Sequence, residues 1–180
     1  QMQISPDQGQ FMAFMVRAIR ARKILEIGTY TGYSALVCAL AMDKGRLITL
    51  DRDPVMTEVA MKFWKMAKVD RIIELKLGNA LDSLDELLSS EENIGSFDMI
   101  FIDADKRNYQ AYYELCLKLI ANDGIILFDN VLWSGDVADP SNQEKDTVAL
   151  RDLNQFLFND NRVNISMIPV GDGITMLQKK

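Results

Sequence analysis

Acidic residues stand at the ends of short apolar runs in this sequence of 180 residues. Five such runs are each followed by a helix-like pattern, and four of the five end at a carboxylate. The residues at or just after the run ends are Glu26 and Gly28, Asp51, Asn79 and Ala80, Asp103, and Asp129 and Asn130. Carboxylates in such places accept hydrogen bonds from ligand hydroxyls or hold cations. A single Asp there is also a common helix N-cap, but capping alone does not explain the whole set.

The lack of histidine narrows the possible chemistry. The sequence contains no His, which excludes Ser-His-Asp and Cys-His nucleophilic sites, His-ligated zinc and the two-His-one-carboxylate iron site. Any metal ion must therefore be held by oxygen ligands. The two cysteines, Cys38 and Cys116, lie in apolar helical runs. We expect them to be buried thiols, not a disulfide or a C-x-x-C pair.

The apolar runs that end in these residues are predicted to be strands. Their ranges are 23–27, 46–50, 72–77, 97–102 and 125–128. Helices are predicted at about 6–20, 32–42, 53–68, from 80 onward, 106–121 and 148–158. The first has Ser5 as N-cap, Pro6 at N1 and Gln8 closing a capping box. Two more strands flank a hairpin turn at 171–173. This order predicts an α/β fold: a doubly wound, mostly parallel seven-stranded sheet with an antiparallel C-terminal hairpin.

In such sheets ligands bind outside the carboxyl ends of the strands. The first strand–helix turn, EIGTYTG at 26–32, departs from the dinucleotide fingerprint G-x-G-x-x-G, and the sequence has no G-x-x-x-x-G-K-[S/T] phosphate loop. The turn therefore suits a small ligand without phosphates, unless its glycine serves backbone geometry alone. Asp51, 25 residues after Glu26, is the expected acceptor for ribose hydroxyls. An adenosine without phosphates beside an acidic residue indicates S-adenosylmethionine.

The composition is that of one globular domain, which we assign to residues 1–180. Hydrophobic residues make up 48% and charged residues 26%, which argues against disorder. The net charge of −6 argues against a nucleic-acid partner. The longest uncharged apolar run, at 35–42, is too short to span a membrane. No secretory leader is visible, so we expect a cytoplasmic protein. Because the chain begins at Gln1, we also expect the natural N-terminus to lie further upstream.

Four segments resemble one known family. They are LEIGTYTGYSAL (25–36), FIDADKRNY (101–109), LFDNVLWSGDV (127–137) and the terminal PVGDGITMLQKK. Together they resemble the cation-dependent class I O-methyltransferases, the caffeoyl-CoA and catechol O-methyltransferase family. The second and third segments are the specific ones, because a generic Rossmann-like methyltransferase does not need Asp-Ala-Asp-Lys and Asp-Asn at these strand ends. The resemblance implies a Rossmann-like fold, S-adenosylmethionine as methyl donor, a small phenolic or catechol-like acceptor and a homodimer. Relatives usually carry further N-terminal residues.

The resemblance also implies roles for individual residues. Those that would contact S-adenosylmethionine are Ile4, Glu26, Gly28, Thr29, Ser34, Asp51, Ala80 and Asp103. The implied ligands of Mg²⁺, or of another divalent cation such as Mn²⁺ or Ca²⁺, are Asp103, Asp129 and Asn130. Such oxygen ligands suit hard cations, although Asp129-Asn130 alone would also suit an Asx turn. The implied acceptor contacts are Asp105, Tyr109 and Trp133.

The implied reaction is the in-line attack of a phenolate oxygen on the sulfonium methyl group. Lys106 matches the proposed general base of the family and is grouped with Asp103 as catalytic. It acts as a base only if a nearby cation and burial favour the loss of its proton; otherwise it is a helix-start charge or a substrate contact. Two alternatives remain, an NAD(P)-dependent oxidoreductase and a non-catalytic S-adenosylmethionine-binding domain. The polar segment 134–146 is expected to form a flexible pocket rim.

Overall fold

The computed structural model describes residues 2–180, in which strands and helices alternate along the chain. The strands are β1 (Lys23–Ile27), β2 (Arg46–Asp51), β3 (Ile73–Leu77), β4 (Phe97–Ile102), β5 (Ile120–Asp129), β6 (Val163–Ile168) and β7 (Ile174–Lys179). The helices are α1 (Pro6–Ala18), α2 (Tyr33–Ala41), α3 (Pro54–Met66), α4 (Ala80–Leu88), α5 (Tyr109–Leu119) and α6 (Lys145–Asn159). Short 3₁₀ segments lie at Glu91–Asn93, Lys106–Asn108 and Trp133–Ala138.

The strands form one sheet in the order β3-β2-β1-β4-β5-β7-β6. Strands β1 to β5 pair in parallel, and β7 runs antiparallel to both β5 and β6. The predicted fold is therefore confirmed. The strand order reverses between β1 and β4, because the chain moves outward from β1 to β3 on one side and from β4 to β5 on the other. The carboxyl ends of β1 and β4 consequently open the crevice where ligands bind in such sheets.

Helices cover both faces of the sheet, and alternate strand residues point to each layer. In β1, Ile24 packs in the core shared with α1, α2 and α3, whereas Leu25 and Ile27 pack in the core shared with α4, α5 and α6. By the same alternation Glu26 points to the side of Ile24. A carboxylate in a buried central strand needs hydrogen-bond partners, and the site provides them.

The start of α1 is only partly as predicted. Ser5 is the N-cap, and its Oγ accepts the backbone N–H of Gln8 at 3.4 Å, with Pro6 in the first turn. The Gln8 side chain does not close a capping box. It is buried, 2% exposed, against Gly171 of the hairpin turn, and that burial withdraws it from the Ser5 backbone.

The predicted helix at 106–121 begins at Lys106 as predicted but ends two residues early. Its first turn is the 3₁₀ segment Lys106–Asn108, and α5 ends at Leu119 because the chain turns into β5. Ile120 pairs with Phe97 as a strand residue. The polar residues that follow it suggested a loop, but the backbone stays extended and passes close to β4. A Cβ at Gly124 would lie 2.7 Å from the Phe97 carbonyl oxygen.

Cys38 and Cys116 are buried free thiols, as predicted. Among residues 2–180, the helices are all too short or too polar to cross a bilayer.

Candidate active site

A cavity of about 1360 Å³ opens at the carboxyl ends of the parallel strands. Twelve of the residues singled out from sequence line it: Ile4, Gly28, Thr29, Ser34, Asp51, Ala80, Asp103, Asp105, Lys106, Asp129, Asn130 and Trp133. Glu26 and Tyr109 do not reach its wall. The strand-end pattern therefore led to one place in the fold, while the role of each residue stays a prediction.

The turn after β1 is built on Gly28 and Asp51. Gly28 has a φ of +98°, and a Cβ there would lie 1.8 Å from the Asp103 carbonyl oxygen, so only glycine allows β4 to end this close. Asp51 Oδ2 accepts the backbone N–H groups of Thr29 at 2.9 Å and Tyr30 at 2.7 Å. Tyr30 is held at a φ of +49°. Asp51 thus fixes the turn, and the remaining lone pairs of its carboxylate face the cavity that it lines.

Glu26 lies beneath this turn in a chain of buried hydroxyls. Thr49 Oγ1 donates to Glu26 Oε2 at 2.5 Å, and the Thr49 and Thr29 hydroxyls are 2.5 Å apart. Burial raises the pKa of Glu26 to about 8, although hydrogen bonds from Ser34 and Thr49 oppose the shift. Glu26 is therefore protonated in this arrangement at neutral pH.

Lys106 brings several predicted site residues together. Its Nζ donates to Asn130 Oδ1 at 2.7 Å and to Asp103 Oδ1 at 3.1 Å, and lies 2.5 Å from the Tyr109 hydroxyl. The side chain is buried, and the indole of Trp133 lies 5.7 Å from Nζ. Oxygens of two predicted metal ligands therefore already converge on one positive charge.

Tyr109 was expected on the acceptor wall, but the structure places it behind Lys106. It is fully buried, with its ring 5.5 Å from that of Phe128, and its hydroxyl donates to the Asp129 carbonyl oxygen at 3.3 Å. Burial, together with the charges of Asp103 and Asp129, raises its pKa well above the usual value for tyrosine. The Tyr109 ring packs in the core because it is largely apolar. Its hydroxyl therefore contacts Lys106 from the side that faces away from the cavity.

Asp129 and Asn130 end β5 in a conformation that is not an Asx turn. Asp129 Oδ1 accepts the adjacent Asn130 N–H at 2.7 Å, and Asn130 has a φ of +58°. The next two backbone N–H groups, those of Val131 and Leu132, donate to the hairpin turn 171–173 instead. The Asp129 and Asn130 side chains therefore do not cap a turn.

The environment of Asp129 fits a divalent cation. Burial and the nearby Asp103 charge raise its pKa to about 6, against the opposing effects of Gln8, the Asn130 N–H and Lys106. Two carboxylates and an amide oxygen are hard ligands of the kind that Mg²⁺, Mn²⁺ and Ca²⁺ prefer. Within residues 2–180 there is no cluster of three or more His, Cys, Asp or Glu side chains placed to hold a metal. The Asp103, Asp129 and Asn130 set has only two such side chains, because its third ligand is an amide.

Comparison with known proteins assigns the chain to a family. A family model described as O-methyltransferase matches residues 1–180. The chain is 46% identical over 176 residues to "Probable caffeoyl-CoA O-methyltransferase 2" of Dictyostelium discoideum, covering 96% of this chain and 75% of that protein. It is 40% identical over 185 residues to "Caffeoyl-CoA O-methyltransferase" of Medicago sativa, covering 99% of this chain and 75% of that protein. The chain belongs to the O-methyltransferase family. The family predicted from the four segments is confirmed.

Solved structures agree with this assignment. An O-methyltransferase from Bacillus cereus, crystallised in complex with SAH, superposes with a TM-score of 0.92 at 34% identity, covering 99% of this chain and 83% of that one. The O-methyltransferase TomG from Streptomyces achromogenes, in complex with SAM, superposes with a TM-score of 0.90 at 31% identity, covering 99% of this chain and 82% of that one. The prediction of an O-methyltransferase enzyme is therefore confirmed, and the rival oxidoreductase reading loses its support.

The sequence did not indicate every residue of the cavity. Tyr112 also lines it and donates from its hydroxyl to Asp105 Oδ1 at 2.6 Å, yet its spacing indicated only a buried helix face. Gln8 and Asp172 come from opposite ends of the chain, and both line the cavity. Local patterns carry no signal for such contacts, because they depend on the hairpin folding back over α1.

The polar segment 134–146, the predicted pocket rim, is hydrogen-bonded to other parts of the protein. The backbone N–H of Ser134 donates to Asp172 Oδ1 at 2.7 Å, and Arg151 donates to the carbonyl oxygens of Val137 and Asp139 at 3.1 and 2.7 Å. These hydrogen bonds join the rim to the hairpin turn and to α6. The flexibility expected for this segment stays a prediction.

Proposed function

We propose that this protein transfers the methyl group of S-adenosylmethionine to a hydroxyl of a small catechol-like or phenolic acceptor, with a divalent cation such as Mg²⁺ held by Asp103, Asp129 and Asn130. The observation that carries the proposal is the convergence of Asp103 and Asn130 oxygens on one cationic atom, Lys106 Nζ, beside the buried Asp129. This convergence lies in the same cavity as the turn after β1.

The turn side of the cavity suits the methyl donor. Gly28 lets the turn pack closely against the end of β4 at the cavity wall, and Asp51 presents a carboxylate at the end of β2, where ribose hydroxyls are held in such sheets. The turn lacks the glycine spacing that seats a pyrophosphate. The Bacillus cereus and Streptomyces achromogenes enzymes were crystallised in complex with SAH and SAM, which supports this choice of donor.

The other side of the cavity suits a flat aromatic acceptor. Trp133 offers an apolar face next to Lys106, and Asp105 with Tyr112 adds polar groups at the edge. A catechol presents two adjacent oxygens to a cation, whereas a simple phenol presents one. The cavity exceeds the range of about 300–1000 Å³ of single-ligand pockets. That size supports a donor and an acceptor bound side by side.

Deprotonation is the chemical problem that the residues must solve. A phenol with a pKa of about 10 costs roughly 4 kcal/mol to ionise at pH 7. A divalent cation would supply several kcal/mol of stabilisation to the anionic oxygen. Lys106 donates to Asp103, Asn130 and Tyr109, which uses all three of its N–H groups, so it could serve the acceptor hydroxyl only after a bound cation takes the Asp103 and Asn130 oxygens from it. Holding the two reactants in line contributes roughly 7–11 kcal/mol more.

The experiment is methyl transfer from labelled S-adenosylmethionine to a panel of catechols and simple phenols, with Mg²⁺ and then with chelator. We expect transfer to catechols that stops on chelation and is lost in Asp129→Asn. Asp123→Asn, an exposed change on the same strand, is the matched control and should retain activity. Transfer that persists in excess chelator would refute the cation. Failure to bind S-adenosylhomocysteine in calorimetry would refute the donor. Donor binding without transfer to any acceptor in the panel would favour a non-catalytic binding domain.

We also propose a homodimer with a small-molecule acceptor as substrate, without nucleic-acid or membrane partners, located in the cytoplasm. Light scattering on the purified chain tests the dimer. A monomeric mass at micromolar concentration would contradict it.

A further inference from the structure

Gln8 carries a buried polar atom that the fold leaves unpaired. Its side chain is 2% exposed, and within residues 2–180 Nε2 makes no hydrogen bond of ordinary geometry. Leaving a buried donor unpaired costs about 1–3 kcal/mol, and such atoms are rare enough to need an explanation. The residue is part of the cavity lining. An unpaired donor at this place indicates a group that it serves when ligands are bound.

The surroundings of Gln8 fix the direction of its amide. Oε1 is packed against the hairpin turn, where a Cβ on Gly171 would lie 2.6 Å from it, and Gly171 has a φ of +58°. The amide also lies on the Asp129 side of the site, because both residues line the cavity and Asp129 pairs with Ile174, the residue that directly follows the hairpin turn. Gln8 therefore connects three parts of the chain: α1, the hairpin turn and the end of β5.

Asp129 depends on this contact more than the other two predicted ligands do. Lys106 Nζ donates to Asp103 and Asn130, but it makes no hydrogen bond to Asp129. Among residues 2–180, the Asp129 carboxylate accepts one hydrogen bond of ordinary geometry, from the adjacent Asn130 N–H to Oδ1. A carboxylate has about four lone-pair directions, so room remains for Gln8 Nε2 and for a cation.

We propose that Gln8 is a positioning residue: its Nε2 donates to the Asp129 carboxylate and holds it in the orientation that binds the divalent cation. This inference rests on the cation in the proposed function. Outer partners of this kind orient ligating carboxylates, and their loss costs roughly 10–100-fold in metal affinity. The contact also ties the cation site to the first turn of α1 and to the hairpin turn.

The test is Mn²⁺ binding, followed by the electron paramagnetic resonance signal of the free ion. Gln8→Met keeps the length of the side chain but removes the amide, and Gln10→Met, on the exposed side of α1, is the matched control. We expect Gln8→Met to weaken Mn²⁺ binding at least 10-fold and Gln10→Met to leave it unchanged. With chelator present, the melting temperature of Gln8→Met should change little, because the loss of a weak hydrogen bond to Asp129 and the removal of a poorly paired buried amide oppose each other. Unchanged Mn²⁺ affinity in Gln8→Met would overturn the proposal. A lower melting temperature with an equal loss of S-adenosylhomocysteine affinity would mean that Gln8 only supports the fold, and would overturn it as well.

Gly171→Ala provides a second route to the same contact. The added Cβ displaces the Gln8 amide without changing its chemistry. If Gly171 acts through Gln8, this change weakens Mn²⁺ binding in the wild-type background but not in Gln8→Met. An equal loss in both backgrounds would contradict the inference. Asp129→Asn separates the two proposals: if it binds Mn²⁺ as wild type does, the cation site itself is misplaced, and the Gln8 role falls with it.

Discussion

Replacing Glu26 by Gln should stabilise the protein at neutral pH. Glu26 is 2% exposed in the central strand β1, where Thr49 and Ser34 provide its hydrogen bonds. An amide has nearly the shape of a protonated carboxyl group, and both hydroxyls can turn to accept from it. The substitution therefore keeps the packing of the neutral acid but removes its ability to ionise.

The size of the effect follows from the shifted pKa. Burial raises the pKa of Glu26 from 4.5 to about 8, and each unit corresponds to about 1.4 kcal/mol. The folded state keeps a proton that the unfolded chain releases above its own pKa. The stability contributed by Glu26 is thus fully present below pH 4.5 and is lost as the pH rises through about 8. Between about pH 5.5 and 7.5, wild type should lose about 3 kcal/mol relative to Glu26→Gln.

The assay is urea unfolding of both proteins at several pH values across this window, with chelator present. Glu58→Gln, an exposed change on α3, is the control and should follow wild type at every pH. We expect the stability difference between Glu26→Gln and wild type to grow steadily with pH. A difference that stays constant would show that Glu26 is ionised throughout, and the argument from burial would be refuted. S-adenosylhomocysteine binding to Glu26→Gln tells whether the Glu26 carboxylate contacts the ligand directly. If the carboxylate and the ligand form an ion pair, the variant should lose affinity at every pH.

Three further outcomes are expected. Lys106→Ala should reduce turnover and flatten the pH–rate profile, and an unchanged profile would exclude Lys106 as the base. Gly28→Ala should lower the free energy of unfolding by more than about 3 kcal/mol, because its Cβ would lie 1.8 Å from the Asp103 carbonyl oxygen at a φ of +98°; chemical denaturation measures this. Burial raises the pKa values of the Cys38 and Cys116 thiols, so a thiol reagent at pH 8 should label neither until urea unfolds the protein.

The strand-end residues were predictable because their signal is local. An apolar run that ends in Gly or Asp indicates a buried strand and its carboxyl end, and parallel strands bring these ends to one edge of the sheet. Gly28, Asp51, Asp103 and Asp129 were found in this way, and all four line the cavity. The alternation of strands and helices predicted the doubly wound, mostly parallel sheet, but the order of its strands came from the structure.

Contacts between distant segments were not predictable. Gln8 fits a capping-box pattern, but the hairpin turn at Gly171 draws its side chain into the cavity wall. The first half of β5 was missed for a related reason: its polar residues suggest a loop, but they are extended between the pair of Ile120 with Phe97 and the pair of Ile125 with Met99. In both places a partner far along the chain overrides the local preference.

The carboxylates of this site differ in burial and in hydrogen bonding, and the sequence alone does not show these differences. Asp51 Oδ2 accepts two backbone N–H groups of the turn after β1, and burial raises the pKa of Glu26 to about 8, so that it is largely neutral at pH 7. Asp103 and Asp129 remain as a close acidic pair, and among residues 2–180 Lys106 forms the ion pair with Asp103. One ammonium balances one of two carboxylates, so the pair keeps an attraction for further positive charge. This attraction supports placing the proposed divalent cation at the Asp103 and Asp129 pair, next to Trp133, where the acceptor hydroxyl is proposed to lie.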